Sequence, residues 1–254
     1  MDSVDDHTVT GRVVAVLDAV AGLGDGATLA AVTRATGIPK PTVRRIATGL
    51  VARGLLERVD AGYRLGRHLL SLGLLAAEQQ GLRDAATPYV QDIFARTREV
   101  AWISALSDNA FVLVDRAFGS NRAEDLRRSR WPSAVHSAPF LASAAGRLVL
   151  ADRPDLADRL RRRPLPALTH RTPVTWPQLS AALTAVRNTN VSVEYEESAP
   201  GYCCIAVGLH GPDGTLIGMI GVTGRTGGFD PGRLRRPLLT AANDINRTLR
   251  MRSS

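Results

Sequence analysis

The sequence predicts an α+β protein, with a winged helix-turn-helix over residues 8–66, a linker helix over 67–81 and a mixed helix-and-strand domain over 82–254. Three features carry that prediction. Three short amphipathic segments before residue 53 lead into two strand-like pieces. A Leu-rich helical stretch follows. Farther on, strand-like runs joined by turn residues mix with helical stretches, the pattern of an α+β domain.

In GRVVAVLDAVA, residues 11–21, Val13, Val16, Leu17 and Val20 recur at helical spacing. Gly22, Gly24 and Gly26 end that helix. A G-x-G-x-G run suggests a phosphate-binding loop, but such loops follow a strand and this one follows a helix, so a turn is expected. Thr28 is placed to cap a second helix through Leu29, Val32 and Ala35, and Gly37 to stop it. Pro39 and Pro41 flank Lys40 and open a third helix, where a missing N–H costs nothing because the first turn has no intrahelical acceptor for it. Val43, Ile46, Ala47 and Leu50 form its apolar stripe; Thr42, Arg44, Arg45 and Thr48 lie elsewhere on the cylinder. Two short helices across a tight glycine turn make a helix-turn-helix. Leu55 to Val59 and Tyr63 to Leu65 read as strands joined at Asp60-Ala61-Gly62, a hairpin wing.

The formal net charge is +8, and it has a location. Between Arg34 and Arg64 seven bases meet two acids, a net of +5, whereas the start of the chain is acidic at Asp2, Asp5 and Asp6. A basic third helix and wing supply what phosphate neutralisation requires. The candidate DNA-binding residues are Lys40, Thr42, Arg44, Arg45, Arg58 and Arg64. Lys40 is the sole lysine; every other base is an arginine. The start has no apolar segment of a secretory signal, and no run of about 18 apolar residues exists, so neither export nor a membrane partner is expected. Cys203 and Cys204 are adjacent, which suits neither a disulfide nor a metal site, and a reducing cytoplasm fits.

The run GIPKPTVRRIATGLVARGLLERVDAGYRLG, Gly37 to Gly66, resembles the helix-turn-helix and wing of the IclR family of bacterial transcriptional regulators. That family usually has Ser where this chain has Pro41. APFLASAAGRLVLA, Ala138 to Ala151, is similar to the family's helix with a T-A-x-G-K-A-type motif: Ser143, Ala144, Gly146 and Arg147 stand at the matching positions, and Leu141 where many members have His. EYEESAPGYCCIAVGLHGPDGTLIGMIGVTG, Glu194 to Gly224, is similar to the family's acidic strand, P-G and C-I-A segment. The resemblance covers nearly the whole chain. It implies a GAF-like or profilin-like sheet that holds a small organic ligand.

Residue by residue, Leu69, Leu70, Leu72, Leu74 and Leu75 make a helix apolar over a wide face, suited to bridging domains or packing on a second chain. A helix over 82–97 turns Tyr89, Val90, Ile93 and Phe94 inward. Strands are expected at Trp102–Leu106, Phe111–Val114, Val191–Glu196, Cys203–Leu209 and Leu216–Val222, with turns at Ser107-Asp108-Asn109 and Pro212-Asp213-Gly214. Helices are expected near 142–151, 154–162, 178–189 and 233–251, all on one side of the sheet. Glu194 and Glu196 share one strand face and Glu197 the other; the alternatives for Glu194 are a pocket role and a solvated edge. Arg127-Arg128 and Arg161-Arg162-Arg163 read as solvated.

His7, His68, His136, His170 and His210 have no metal-ligand spacing. Cys204, apolar-flanked in a strand, reads as packing rather than as a nucleophile beside His136 or His210. Neither a metal, a cofactor nor catalysis is expected. The candidate effector-binding residues are Ser143, Ala144, Gly146, Glu194, Cys204 and Thr223. Small residues at a helix start leave room and free N–H groups. Cys204 and Thr223 are compact and polar on neighbouring strands, and Glu194 adds an acceptor that disfavours a carboxylate at its end. Family resemblance implies organic acids or related metabolites, so a hydroxylated or acidic effector is the expectation. A ligand-responsive regulator that binds operator DNA as a dimer, or a dimer of dimers, is the leading reading. The alternative is a small-molecule-binding protein or enzyme whose helix-turn-helix is only structural.

Overall fold

A computed structural model describes residues 8–106, 111–128 and 138–252. The expected turn at Ser107-Asp108-Asn109 and His136 lie outside the described residues. The chain folds as two compact units divided between Gln79 and Gln80.

In the first unit, α1 (Val9–Leu23) begins at Thr8, whose hydroxyl accepts the Gly11 N–H at 2.9 Å. A 3-10 turn through the glycine run leads to α2 (Leu29–Thr36), capped by Thr28 accepting from the Ala31 N–H at 3.1 Å. Gly37 ends α2 at φ 67, the left-handed region in which glycine carries no Cβ penalty. The third helix, α3 (Lys40–Ala52), has Pro39 as its N-cap, so no side chain caps it. Val43, Ala47 and Leu50 join Val16, Val20 and Val32 in one core; Ile46 packs at its margin. β1 (Leu56–Val59) and β2 (Gly62–Leu65) pair antiparallel, and Leu56 and Tyr63 complete the core from the hairpin. Then α4 (Arg67–Gln80) starts with the His68 N–H on the Gly54 carbonyl. Leu70, Leu72, Leu74 and Leu75 on α4 are all exposed.

The second unit runs α5 (Leu82–Thr97), β3 (Val100–Leu106), β4 (Phe111–Ala117), α6 (Ala123–Arg128), α7 (Ala138–Leu141), α8 (Ala144–Asp152), α9 (Pro154–Leu160), α10 (Trp176–Thr189), β5 (Val191–Tyr195), β6 (Tyr202–His210), β7 (Leu216–Arg225) and α11 (Pro231–Arg252). The strands form one antiparallel sheet in the order β4-β3-β7-β6-β5. Helices cover both faces, which corrects the one-sided arrangement expected from sequence. Leu238 and Ile245 of α11 and Val90 and Ile93 of α5 pack with Ile205, Val207, Ile220 and Val222. On the other face Leu148 and Val149 of α8 and Leu183 of α10 pack with Trp102, Cys204, Ala206 and Met219. The physical reason is visible in β6: Cys203 to Val207 is apolar without alternation, as a strand buried on both faces must be.

Candidate functional sites

On the first unit, the buried stripe of α3 fixes what its other face presents. Lys40, Arg44 and Arg45 are exposed, and Thr42 is half-buried. Arg58 projects from the wing, also exposed. Arg44, Thr48, Arg58, Asp60 and Tyr63 line a cleft of about 450 Å³ between α3 and the hairpin. Arg64 differs from the others: across the hairpin it donates to Glu57, with a closest approach of 2.6 Å, and Arg67 stands 3.9 Å from the same carboxylate. The Arg64 hydrogen bond holds the Glu57 carboxyl below the usual carboxylate range. Of the six candidate DNA contacts, Arg64 is thus the one already engaged within the hairpin.

On the second unit, Glu194, Cys204 and Thr223 are successive cross-strand partners on β5, β6 and β7, beneath α8. The Thr223 hydroxyl accepts from the Trp102 indole N–H at 3.0 Å and donates to the Cys204 sulfur at 3.4 Å. Ser143 is the N-cap of α8, accepting the Gly146 N–H at 3.0 Å and donating to the Phe140 carbonyl at 2.7 Å. Two of the N–H groups at this helix start have partners: the Gly146 N–H is taken by Ser143 Oγ and the Arg147 N–H by the Ser143 carbonyl. Gly146 is required by contact, since a Cβ there would fall 1.9 Å from the Phe140 carbonyl oxygen. Ala144 is fully buried in the core of this face.

Glu194 is 2% exposed, so the solvated-edge alternative fails. One carboxylate oxygen accepts from the Ser198 hydroxyl at 2.9 Å; the other accepts the Glu197 N–H at 2.9 Å and the Ser198 N–H at 3.4 Å. Burial pushes its pKa up to about 7, against the lowering by Ser198's hydrogen bonds and Arg147's charge. The expected alternation of Glu194, Glu196 and Glu197 is also corrected. β5 ends at Tyr195, Glu196 turns the chain at φ 54, and Glu197 comes back to form a buried ion pair with Arg147. Sequence reasoning placed Arg147 in a motif without giving it a partner. Its guanidinium also donates to the Val193 carbonyl at 2.8 Å, and Nε is buried without a hydrogen bond. Thr169 and Thr172, which carried no sequence signal, donate to the Glu196 and Glu197 carbonyls at 2.5 and 2.6 Å and pin the turn from outside.

Burial also raises both thiols, Cys203 to about 12 and Cys204 farther. Since the thiolate is the nucleophile, neither cysteine is set up for covalent catalysis. Among the described residues no three His, Cys, Asp or Glu side chains form a metal-binding group, and no helix is long and apolar enough to cross a membrane. Exposed cations on a winged helix-turn-helix, followed by a separate α/β unit with polar groups buried under one helix, define a DNA-binding protein with a ligand-sensing domain.

Comparison with known proteins makes that class specific. The family model for the IclR helix-turn-helix domain matches residues 9–60, and that for the bacterial transcriptional regulator IclR C-terminal domain matches 74–247. The chain belongs to the IclR family and is a ligand-responsive, DNA-binding transcriptional regulator. It is 27% identical over 236 residues to the glycerol operon regulatory protein of Streptomyces griseus, covering 92% of this chain and 91% of that one. Among solved structures, an IclR transcriptional regulator from Silicibacter sp. TM1040 superposes with a TM-score of 0.79 at 24% identity, over 94% of this chain and 96% of the other. An IclR homolog from Microbacterium hydrocarbonoxydans, complexed with 4-hydroxybenzoate, gives 0.74 at 23% identity, over 94% and 99%.

Proposed function

We propose that α3 enters the major groove of an operator with Thr42, Arg44 and Arg45 toward the bases, while Lys40, Arg58 and Arg64 meet backbone phosphates. The observation that carries this reading is the unburied cationic face of α3 and the wing, with Arg44 and Arg58 on opposite walls of one cleft. Arg64 contributes through a side chain shared with Glu57, so its share is the smallest of the cations. An Arg44→Ala variant is expected to lose about 1–3 kcal/mol of discrimination between operator and random DNA, the worth of a bidentate base contact. Arg58→Ala weakens both about equally. Competition binding against random duplex checks this, and identical behaviour of the two variants contradicts the assignment of roles.

Residues 82–254, within the second unit, are read as the effector domain, a GAF-like sheet between helix layers, with residues 67–81 as the linker between it and the 8–66 head. Its ligand is a small hydroxylated organic compound held against Ser143, Ala144, Gly146, Glu194, Cys204 and Thr223. Support comes from Glu194, whose raised pKa lets it donate to or accept from a hydroxyl near neutral pH, while its ionised form disfavours a carboxylate beside it. The 4-hydroxybenzoate complex of the Microbacterium homolog is consistent with this ligand class. Glu194→Ala and Thr223→Val should leave DNA affinity intact and change the response to the ligand that releases or recruits the protein. A wild-type response and ligand-induced melting shift in both variants moves the pocket elsewhere.

A further inference from the structure

We propose that Lys40 is an acylation site whose modification weakens DNA binding, an inference that rests on the DNA-binding reading of α3 and the wing. Between Arg34 and Arg64 six of the seven cations are arginines. A guanidinium remains protonated in proteins and does not act as an acyl acceptor under mild conditions. Lys40 is the sole lysine of the chain, so it carries the one side-chain charge on this face that amine chemistry can remove.

Its placement suits such chemistry. Lys40 is the first residue of α3, exposed, and its ammonium makes no hydrogen bond or ion pair with any described residue. Prolines on both sides hold its backbone at the helix start, so the amine projects from a fixed point on the surface that carries Arg44 and Arg45. Arg44 stands one turn along the same helix, where residues four apart are neighbours. It is a cation able to receive the phosphate of an incoming acyl phosphate. In the step itself the unprotonated Nζ attacks the acyl carbonyl carbon. An N–C bond forms, the C–O bond to phosphate breaks, phosphate leaves with the electron pair, and the proton released from nitrogen passes to water or phosphate. The product is a neutral amide. The fold should tolerate the loss, because a cation at a helix amino terminus opposes the helix dipole and this one is exposed and makes no hydrogen bond or ion pair with any described residue.

The experiment uses the full-length protein, acetyl phosphate as acyl donor and a mixed-sequence 30-bp duplex. Acetylation is mapped by mass spectrometry, and affinity is followed by fluorescence anisotropy over a salt series. Treated wild type is expected to carry acetyl on Lys40, bind severalfold more weakly, and show a slope of log K against log salt smaller in magnitude by about 0.9 per reading head. Lys40→Arg, whatever its starting affinity, should show the same affinity and slope before and after the same treatment, while untreated Lys40→Gln should match acetylated wild type, both with an unchanged far-ultraviolet spectrum and melting point. Lys40 left unmodified while the chain's α-amino group is acetylated overturns the proposal. So does an acetylated Lys40 with unaltered affinity and slope. Salt-insensitive binding, or none, by the untreated protein overturns the DNA-binding reading and this proposal with it.

Discussion

Glu194 concentrates the chemistry of the second unit in one side chain. Its folded pKa, about 7, lies above the ordinary carboxylate value of 4.5, so the folded state holds its proton more tightly than the unfolded chain does. Stability from this group is therefore complete below about pH 4.5 and declines as pH rises through 7, by up to about 3 kcal/mol. Wild type should lose stability relative to Glu194→Gln between pH 5 and 8, measured by urea unfolding at each pH; a constant difference would show that Glu194 titrates normally. The glutamate's environment was not legible in the sequence. Alternation marks which residues share a strand face, but the positive φ at Glu196 ends that alternation. The partners of the turn, Arg147, Thr169 and Thr172, are 25 to 50 residues away along the chain. Arg64 teaches the same lesson in the first unit: its count toward a basic patch was readable, its pairing with Glu57 needed the hairpin register.

At the scale of elements the sequence was far more informative. Helix α5 spans the residues its periodicity predicts, and Thr28 and Gly37 sit where local chemistry puts them, because caps are decided by near neighbours; the hairpin turn is Asp60-Ala61, with Gly62 already paired to Val59 in β2. Helix α8 starts at Ala144 rather than 142, since Ser143 caps it. The layer on the second face was missed because the unalternated run in β6 was read only as a strand and not as one buried on both sides. Ser143→Ala removes the cap and should cost about 1 kcal/mol. Gly146→Ala should cost more, because its Cβ meets a backbone carbonyl that cannot yield without moving α7. Denaturation midpoints for the two variants check that order; Gly146→Ala at wild-type stability would mean the α7–α8 corner is not closely packed.

Across the whole molecule, the exposed leucines of α4 ask for a partner. Leu70 is 66% exposed and Leu75 53%, a density of apolar surface on one short helix that favours self-association. Paired heads would match half-sites about 34 Å apart or a multiple of that. We expect at least a dimer by light scattering at micromolar concentration and a shift toward monomer in a Leu70→Gln, Leu74→Gln double variant. A monomeric wild type, with and without DNA, contradicts this. An effector that changes the spacing or mobility of the paired heads needs a coupling of about 1–3 kcal/mol, the usual range between linked sites.

The central claim is that the cations of α3 and the wing bind DNA by neutralising its phosphates and reading its bases. It is tested most directly by measuring the wild-type affinity for the upstream region of the protein's own gene, and for a shuffled duplex of the same length, across a salt series. Each phosphate neutralised should contribute about −0.9 to the slope of log K against log salt for both duplexes, with the upstream region bound more tightly throughout. An affinity that does not change with salt, or that is the same for the two duplexes at every salt concentration, would contradict the account.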